Sequence, residues 1–423
     1  MDDGRDPHPA ADRPAGPVTA GLDAATARWL ASPSGRTALA GDVDPRPESA
    51  LAAVARLRAA GLSPSQAAAV LACLQARWRS RSRLGADDWL LTLTGVEQAS
   101  RPEVAHARAQ RYAGCSHVLD LTCGLGFDLA ALATVVPLAV GCDAEAATAV
   151  LAAANVPAAA VACARAEHVR VPADAAVFVD PMRRQHGRRL LRPQTWSPPL
   201  DAVLAMPATD LGVKVAPGLD HALVPDDHEL EVVSCDGDVV EAALYRGGLR
   251  TDASVRRRAT LLRRAVSADP RSAVTTHTVT DADLPAGPPP TQAVGAYVYE
   301  PDKAVIRAGL VAAVCAEVDG WLLDPHIAYI SSHRHVATPT ASAYAVDEVV
   351  PFSVKQLRRR LRERGVGRVV VKRRGFAMEP DDVRRQLRLT GEGDEATVLL
   401  TRIGDRPVAI VAHPVGGAAS DVR

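Results

Sequence analysis

The amino-acid sequence predicts an α/β fold in which a mostly parallel sheet follows a helical region and precedes a small α/β unit. Three observations predict this fold. Apolar residues recur at helical spacing through residues 22–112. From Cys115 onward, apolar runs of strand length alternate with helical segments, which is typical of βαβ units. The turn signal Cys235–Asp238 lies between two strand-like runs and indicates an antiparallel hairpin that completes the sheet.

The local amino-acid composition, including stretches rich in turn- and loop-forming residues, predicts the domain boundaries of the chain. The first residues carry too little apolar surface to order, whereas the Pro, Thr and Asp content of a later segment favours a linker. The predicted order is a disordered tail (1–21), a helical N-terminal domain (22–112), the sheet domain (113–264), a linker (265–292), a connecting region (293–348) and a small α/β unit (349–415).

Charge and cysteine content exclude several classes of protein. Basic and acidic residues both number 49, so a site for a polyanion has to be local. The seven cysteines include no C-x-x-C pair, and His333-Arg-His335 has no third ligand nearby, so we expect no metal site. No apolar run reaches the roughly 18 residues of a membrane span, and no signal sequence is evident. We therefore expect a reduced, cytoplasmic protein without membrane contact.

The segment Asp120–Gly126 (D-L-T-C-G-L-G) places a carboxylate at a predicted strand end and two glycines in the following turn. Asp143 ends the next predicted strand, where a carboxylate accepts hydrogen bonds from ribose hydroxyls in dinucleotide-binding folds. Leu129 stands where the third glycine of G-x-G-x-x-G would fall, which favours a nucleoside without a pyrophosphate. The alternative is an ordinary tight turn between a strand and a helix.

A second apolar strand, Val177–Val179, stops at Asp180 and is followed by Pro181, Met182, Arg183 and Arg184. In a parallel sheet this end carries the ligand site. Guanidinium groups suit phosphate binding and also stack on bases, so the two arginines are compatible with a nucleic-acid substrate. The alternative is a solvated turn, because charged loop residues are usually at the surface.

Together these segments resemble motifs I and IV of class I S-adenosylmethionine-dependent methyltransferases; in motif IV, D-P-P-Y holds an exocyclic amine. Ser100–Ala105 (S-R-P-E-V-A) is similar to the T-P-x-x-[IV]-A stretch of RNA-cap-guanine-type methyltransferases, although it also suits an N-cap. The resemblance implies S-adenosylmethionine as cofactor and Asp180, Pro181 and Arg183 as catalytic residues. It implies cofactor binding by Asp120, Thr122, Gly124, Gly126, Asp143 and Ser100.

The order of motifs, with Tyr299–Gly309 and a basic C-terminal unit, resembles bacterial class I methyltransferases that carry a C-terminal THUMP-like domain. This resemblance implies a Rossmann-like methyltransferase sheet with a THUMP-like domain at 349–415. Between Lys355 and Arg388, thirteen basic residues face four acidic ones, a pattern typical of phosphate-backbone binding. We expect RNA as partner, contacted by Arg184, Lys372, Arg373 and Arg374; a solvated helix face is the alternative.

Two other functions remain open from the sequence. Val233–Asp236 superficially resembles the S-C-N element of enzymes that methylate carbon-5 of a pyrimidine through a cysteine, which would make Cys235 a nucleophile. A lone cysteine is more often a small buried hydrophobic residue. The chain could also be a non-catalytic RNA-binding protein with a degenerate cofactor pocket. The methyltransferase, acting on RNA with a base nitrogen favoured as acceptor, is the main hypothesis.

Overall fold

The structure, a computed structural model, describes residues 21–185, 188–190, 192–265 and 274–415 and consists of two compact units. Within the described residues, the first unit comprises 21–216 and 243–251, and the second comprises the remainder. All of the predicted tail except Gly21 lies outside the described residues. The side chains of 184–185 and 188–189 are also outside the described part.

The first unit begins with helices, as the spacing of apolar residues predicts. Ser63 caps α4 by accepting a hydrogen bond from the Gln66 N–H, the Gln66 side chain returns a bond to the Ser63 N–H, and Pro64 occupies the first turn. The buried face of α4 packs with α1 and α3 in an apolar core. The helices are α1 (Ala24–Ala31), α2 (Pro33–Leu39), α3 (Ala50–Ala59), α4 (Pro64–Leu84), α5 (Leu93–Gln98) and α6 (Pro102–Ala109).

A parallel sheet with helical crossovers follows in the same unit. Its strands β7, β4, β1, β2 and β3 are neighbours in that order, and each pair is parallel. Asp120 is in register with Gly141 on β2 and Phe178 on β4, so these strands end at the same edge. The elements are β1 (His117–Asp120), α7 (Phe127–Leu132), β2 (Leu138–Asp143), α8 (Ala146–Asn155), β3 (Ala160–Cys163), β4 (Ala176–Val179), β5 (Arg184–Gln185), β6 (Arg188–Arg189), α9 (Leu200–Leu204) and β7 (Leu211–Val215).

The predicted hairpin is formed by β8 (His228–Cys235) and β9 (Asp238–Arg246), which are neighbours joined by the turn Asp236–Gly237. The last residues of β9 belong to the first unit and its beginning to the second. In the second unit, β10 (Arg257–Arg264) pairs parallel with β8 and antiparallel with β11 (Val274–Thr280). Strand β11 lies inside the predicted linker 265–292, because its Thr and Val side chains favour extended backbone despite the prolines that follow.

The second unit also contains a seven-stranded sheet in the order β13-β14-β12-β15-β18-β17-β16. Helices α12 and α13 cover one part of it through Leu357, Leu361, Val383 and Leu387, all fully buried. The elements are β12 (Tyr297–Pro301), α10 (Lys303–Arg307), α11 (Val311–Glu317), β13 (Trp321–Asp324), β14 (Ile327–Ser332), β15 (Ala341–Pro351), α12 (Val354–Glu363), β16 (Val366–Arg373), α13 (Pro380–Leu387), β17 (Asp394–Ile403) and β18 (Arg406–Val415).

The predicted connecting region 293–348 shares this sheet, since it supplies β12 to β14 and most of β15. The helix–strand alternation predicted from residue 349 onward is present as α12, β16, α13, β17 and β18. In the ranges that the structure describes, no helix combines the length and the apolarity that crossing a bilayer requires.

Candidate active site

Asp120 lies at the end of β1 and is fully buried. Its Oδ1 accepts a hydrogen bond from the Thr122 N–H at 3.2 Å, whereas its Oδ2 has no hydrogen-bond donor in the described part of the chain. Burial, followed by the charge of Asp128, raises the pKa of Asp120 well above its usual range. A buried acceptor that lacks a donor is costly, so this carboxyl group is ready to receive a donor from a ligand.

The turn after β1 depends on its two glycines. Gly124 and Gly126 have φ angles of +55° and +96°, which are strained for side chains with a Cβ. A Cβ on Gly126 would also lie 2.7 Å from Val156 Cγ2, whereas one on Gly124 would meet no atom within 4 Å. Gly126 immediately precedes α7, so open space adjoins the turn just before a helix N-terminus.

Asp143, at the end of β2, is held against this turn. Its Oδ2 accepts from the Gly124 N–H at 3.2 Å and its Oδ1 from the Glu145 N–H at 2.9 Å. Burial raises the pKa of Asp143 to about 6. The structure therefore brings Asp120, Gly124, Gly126 and Asp143 to one corner of the sheet, as the strand-end argument predicts.

Asp180 follows β4, and its backbone is tied to the same turn: its N–H donates to Thr122 Oγ1 at 2.6 Å. Its side chain pairs with Lys214 on β7, whose Nζ lies 2.7 Å from Asp180 Oδ2. Lys214 Nζ also donates to Ser100 Oγ at 2.9 Å, and the residue is only 5% exposed. The sequence analysis missed Lys214, although one lysine inside the apolar run Leu211–Val215 is a detectable signal.

Ser100 connects this ion pair to a second one. Its hydroxyl donates to Asp128 Oδ2 at 2.8 Å, and Asp128 Oδ1 contacts the Arg108 guanidinium. Although burial opposes it, the charges of Arg108 and Lys214 lower the pKa of Asp128. The sequence analysis missed both Arg108 and Asp128, because each lies on a short helix where a charged residue gives no distinctive pattern.

The residues after Asp180 have separate environments. Pro181 is buried. Arg183 donates to the Val215 carbonyl at 2.7 Å, lies 3.9 Å from Asp180 Oδ1, and has its guanidinium carbon 6.0 Å from the centre of the Trp196 ring. Arg184 begins β5, and its side chain lies outside the described part of the structure. Arg183 thus borders the Asp180 carboxylate, which Lys214 approaches through the other oxygen.

Comparison with known proteins decides the family. The chain is 35% identical over 328 residues to an uncharacterized S-adenosylmethionine-dependent methyltransferase of Mycobacterium tuberculosis, a match that covers 76% of this chain and 87% of the relative; the same identity and coverage are found in strains CDC 1551 and H37Rv. The chain belongs to the S-adenosylmethionine-dependent methyltransferases.

Other comparisons agree with the fold. A crystal structure of a candidate methyltransferase from Porphyromonas gingivalis W83 superposes with a TM-score of 0.66 at 20% identity, covering 93% of this methyltransferase and all of that chain. A family model described as THUMP domain-like matches residues 341–414. A second model, Domain of unknown function (DUF8688), matches residues 23–82. The predicted family, the Rossmann-like fold class and the cofactor are therefore confirmed.

The strand-end corner of the methyltransferase fits S-adenosylmethionine. The cofactor carries an ammonium group that could donate to the unpartnered Asp120 Oδ2. Its ribose hydroxyls are suitable donors for the partly buried carboxylate of Asp143. The space beside Gly124 leaves the backbone accessible at that point. Ser100 and Thr122, predicted to bind the cofactor, have partners within the protein: Ser100 Oγ accepts from Lys214 Nζ, and Thr122 Oγ1 accepts from the Asp180 N–H.

The residues predicted to contact RNA in the C-terminal unit of the methyltransferase are ion-paired. Lys372 and Arg374 share Glu300 on β12, at 2.7 and 3.2 Å, and Arg373 pairs with Glu379. Glu300 lies outside the stretch from Lys355 to Arg388 over which the charge excess was counted. Counting charges along a local segment therefore overstated how much positive charge is available there.

The other candidate positions have structural partners. Cys235 is 1% exposed within β8, where it is buried like a small apolar residue. The His333 ring packs against Trp321 with 4.7 Å between ring centres, and the His335 ring lies 5.5 Å from that of Tyr297. Cys235 therefore has the environment of a structural cysteine, and the two histidines pack against aromatic rings.

Proposed function

We propose that this methyltransferase methylates RNA, with a nitrogen of a base as the acceptor, and that Asp180 orients that nitrogen. The observation that carries the proposal is the hydrogen bond from the Asp180 N–H to Thr122 Oγ1 at 2.6 Å. Thr122 lies between Asp120 and Gly124 in the turn that fits the cofactor. The carboxylate that would meet the acceptor is therefore held in a fixed position relative to the cofactor turn.

The roles of the cofactor-side residues follow from their environments. Asp120 and the glycine turn would hold the amino-acid end of the cofactor, and Asp143 the ribose. When bound, the cofactor supplies a methyl group on a sulfonium, so the transfer depends mainly on placing the acceptor in line with that methyl. The chain contributes to the reaction by orienting two molecules rather than by forming a covalent intermediate.

Asp180 has one oxygen suited to the acceptor. Lys214, itself held by Ser100, fixes the carboxylate through Oδ2, and Oδ1 lies 3.9 Å from the nearer Arg183 nitrogen. Oδ1 can therefore accept a hydrogen bond from the N–H of the acceptor, which orients that nitrogen toward the methyl. The nitrogen loses this proton as its bond to the methyl forms and the bond from the methyl to sulfur breaks. Arg183, held by the Val215 carbonyl, borders the place where the acceptor would sit and offers its plane for stacking.

RNA as the class of acceptor is supported by the C-terminal unit. Residues 341–414 match the THUMP-like family, and the resemblance of that family to RNA-binding domains motivates the proposal. The same range carries fifteen basic and ten acidic side chains, an excess of five positive charges in a neutral chain. Arg184 stays a proposed RNA contact, as do Lys372, Arg373 and Arg374 to the extent that an RNA phosphate displaces their carboxylate partners.

The experiment is methyl transfer from isotope-labelled S-adenosylmethionine to total RNA from a strain that lacks the protein. We expect label in RNA, and in a single N-methylated nucleoside when the digest is analysed by mass spectrometry. The Asp180→Asn variant should bind the cofactor in calorimetry but transfer at least about 100-fold more slowly, as expected for a misplaced acceptor. Label that appears in protein or small molecules and not in RNA would contradict the proposal.

A further inference from the structure

The C-terminal half of α4 is an unusually basic surface in the helical region. Arg77, Arg79, Arg81 and Arg83 alternate with Trp78, Ser80 and Ser82, and the whole helix Pro64–Leu84 contains no acidic residue. Arg79, Arg81 and Trp78 are exposed. Acidic residues three or four positions from each arginine would stabilise a helix that is only solvated, and α4 has none.

Residues four apart on a helix share a face, so Arg79 and Arg83 project together. With Ser80 between them they line one side of a cavity of about 480 Å³, and α5 supplies the other side. We call this cavity the α4 groove; its lining residues are Arg79, Ser80, Arg83, Leu93, Val96 and Glu97. Two guanidinium groups against one exposed carboxylate give the groove a net positive charge.

The cations around the groove outnumber the one carboxylate that lines it, Glu97. Arg83 donates to the carbonyls of Val96 and Ala99, which fixes its position, and the nearby charge of Glu97 opposes its own only in part. Burial and then the charge of Arg101 lower the pKa of Arg83, which shows that a second guanidinium group is close to it. Within the described ranges, neither Arg79 nor Arg101 has an acidic partner within 4 Å. An anion in the groove would relieve this repulsion.

The groove adjoins the candidate active site within the first unit. Arg83 holds the carbonyl of Ala99, and the next residue, Ser100, contacts Lys214, the partner of Asp180. A polyanion that lies in the groove is therefore one residue along the chain from the network that holds Asp180. The contacts Arg83–Ala99, Ser100–Lys214 and Lys214–Asp180 thus connect the groove to the residue proposed to meet the acceptor.

The C-terminal unit provides a contrast. On α13, Arg384 pairs with Asp381 and Arg385 with Asp382. Lys372 on β16 and Arg374 just after that strand both contact Glu300. To bind phosphate, each of these cations would first have to leave a carboxylate. Arg79 and Arg101 would not, so the same contact there carries no such cost.

We propose that the α4 groove, with Arg101 beside it, binds phosphates of the acceptor RNA backbone. The proposal rests on the proposed function, because it names the surface that holds the acceptor. It assigns to the region matched by the domain of unknown function a direct part in binding the acceptor. Phosphate binding of this kind does not depend on base sequence, so any structured RNA reports on it.

The test compares RNA binding by the full chain and by two double variants of equal charge change. A fluorescein-labelled RNA stem-loop is titrated with protein over a range of salt concentrations, and binding is followed by fluorescence anisotropy. Arg79→Gln with Arg101→Gln removes two groove cations. Arg384→Gln with Arg385→Gln removes two paired cations from α13 and is the matched control. Thermal unfolding and cofactor calorimetry establish that each variant remains folded.

We expect the groove variant to bind the stem-loop at least about 10-fold more weakly. The slope of log K against log salt should fall in magnitude by roughly 0.7–0.9 for each lost phosphate contact. The control should stay within about twofold of the unsubstituted chain, and both variants should bind S-adenosylmethionine unchanged. In turnover, the groove variant should raise KM for RNA while kcat changes little, because phosphate contacts bind ground state and transition state alike.

Two results would overturn the inference, and they differ in what they say about the proposed function. If the unsubstituted chain binds and methylates RNA and the groove variant does the same within twofold, the groove is not the phosphate site and RNA methylation stands. If the unsubstituted chain neither binds nor methylates RNA, both proposals are wrong.

Discussion

Lys214 is the residue whose replacement tests the candidate site most directly. Its Nζ donates to Asp180 Oδ2 at 2.7 Å and to Ser100 Oγ at 2.9 Å, and its side chain is 7% exposed. In Lys214→Met the aliphatic part of the side chain is kept and the charge is lost. Asp180 then loses the cation that orients it, and Ser100 loses a donor.

The magnitude follows from the burial of the pair. Removing one partner of a buried ion pair costs about 3–5 kcal/mol, because the other charge is left uncompensated. The Asp180 side chain keeps 22% of its exposure, so water can reach it and the lower end, about 3 kcal/mol, applies. For a domain of about 150–250 residues this lowers Tm by roughly 6–12 °C. Methyl transfer should fall about 100-fold, as when a reacting group is misplaced by about 1 Å.

The assay combines urea unfolding, thermal scanning and methyl transfer. The matched control is Lys303→Met: Lys303 also pairs with an aspartate, Asp238, at 2.6 Å, but its side chain is 58% exposed. Such an exposed pair contributes less than about 1 kcal/mol. A double-mutant cycle of Lys214→Met with Asp180→Asn should give a coupling energy of about 1–3 kcal/mol. A Lys214→Met variant as stable and active as the Lys303→Met control would refute the reasoning.

Three further predictions concern the cofactor corner. Because the pKa of Asp143 in the folded state is raised to about 6, its protonated form predominates below that pH, and the folded state gains stability as pH falls from 6 toward 4. The affinity for S-adenosylmethionine should fall over the same pH range. In calorimetry, the Asp143→Asn variant should not show this pH dependence of affinity. Gly126→Ala should lower the free energy of unfolding in urea by about 1–3 kcal/mol, because its Cβ would combine a positive φ with a 2.7 Å contact to Val156. Gly124→Ala has open space at its Cβ, so it should lower the free energy of unfolding by about 1 kcal/mol and mainly weaken cofactor binding. Asp120→Asn should leave the free energy of unfolding within about 1 kcal/mol or raise it, since it removes an ionisable group from a fully buried position. The same variant should weaken cofactor binding at least about tenfold in calorimetry, and unchanged affinity would contradict the proposed role.

The carboxylates of the site were predictable because they follow a rule of topology. Asp120, Asp143 and Asp180 each end a strand, and the carboxyl ends of parallel strands meet at one edge. Strand length and apolar content are properties of the local sequence, so their prediction needs no knowledge of distant contacts. The glycine turn was predictable too, because Gly124 and Gly126 follow Asp120 within the same short local motif.

Pairing between elements was not predictable in the same way. Glu300 lies 72 residues before Lys372 along the chain, and only the tertiary fold brings it to that lysine, since β15, β18 and β17 lie between β12 and β16 in the order of the sheet. A count of charges over a single segment cannot include such a partner. For Lys214, the apolar sequence of its own strand indicates that it is buried. Which carboxylate it contacts depends on the pairing of β7 with β4, which the local sequence does not reveal.

The side-chain hydroxyls of Ser100 and Thr122, both predicted to bind the cofactor, connect parts of the candidate site. Each was assigned to the cofactor by position in a motif, but in the structure Thr122 accepts from the Asp180 N–H and Ser100 bridges Lys214 and Asp128. Ser100 therefore links two ion pairs, and Thr122 links the cofactor turn to the backbone of Asp180. Movement of the glycine turn on cofactor binding would therefore shift Asp180 through Thr122. Loss of Thr122 Oγ1 is therefore expected to release the Asp180 backbone and slow methyl transfer in the labelled-cofactor assay while Asp120 and Asp143 stay in place.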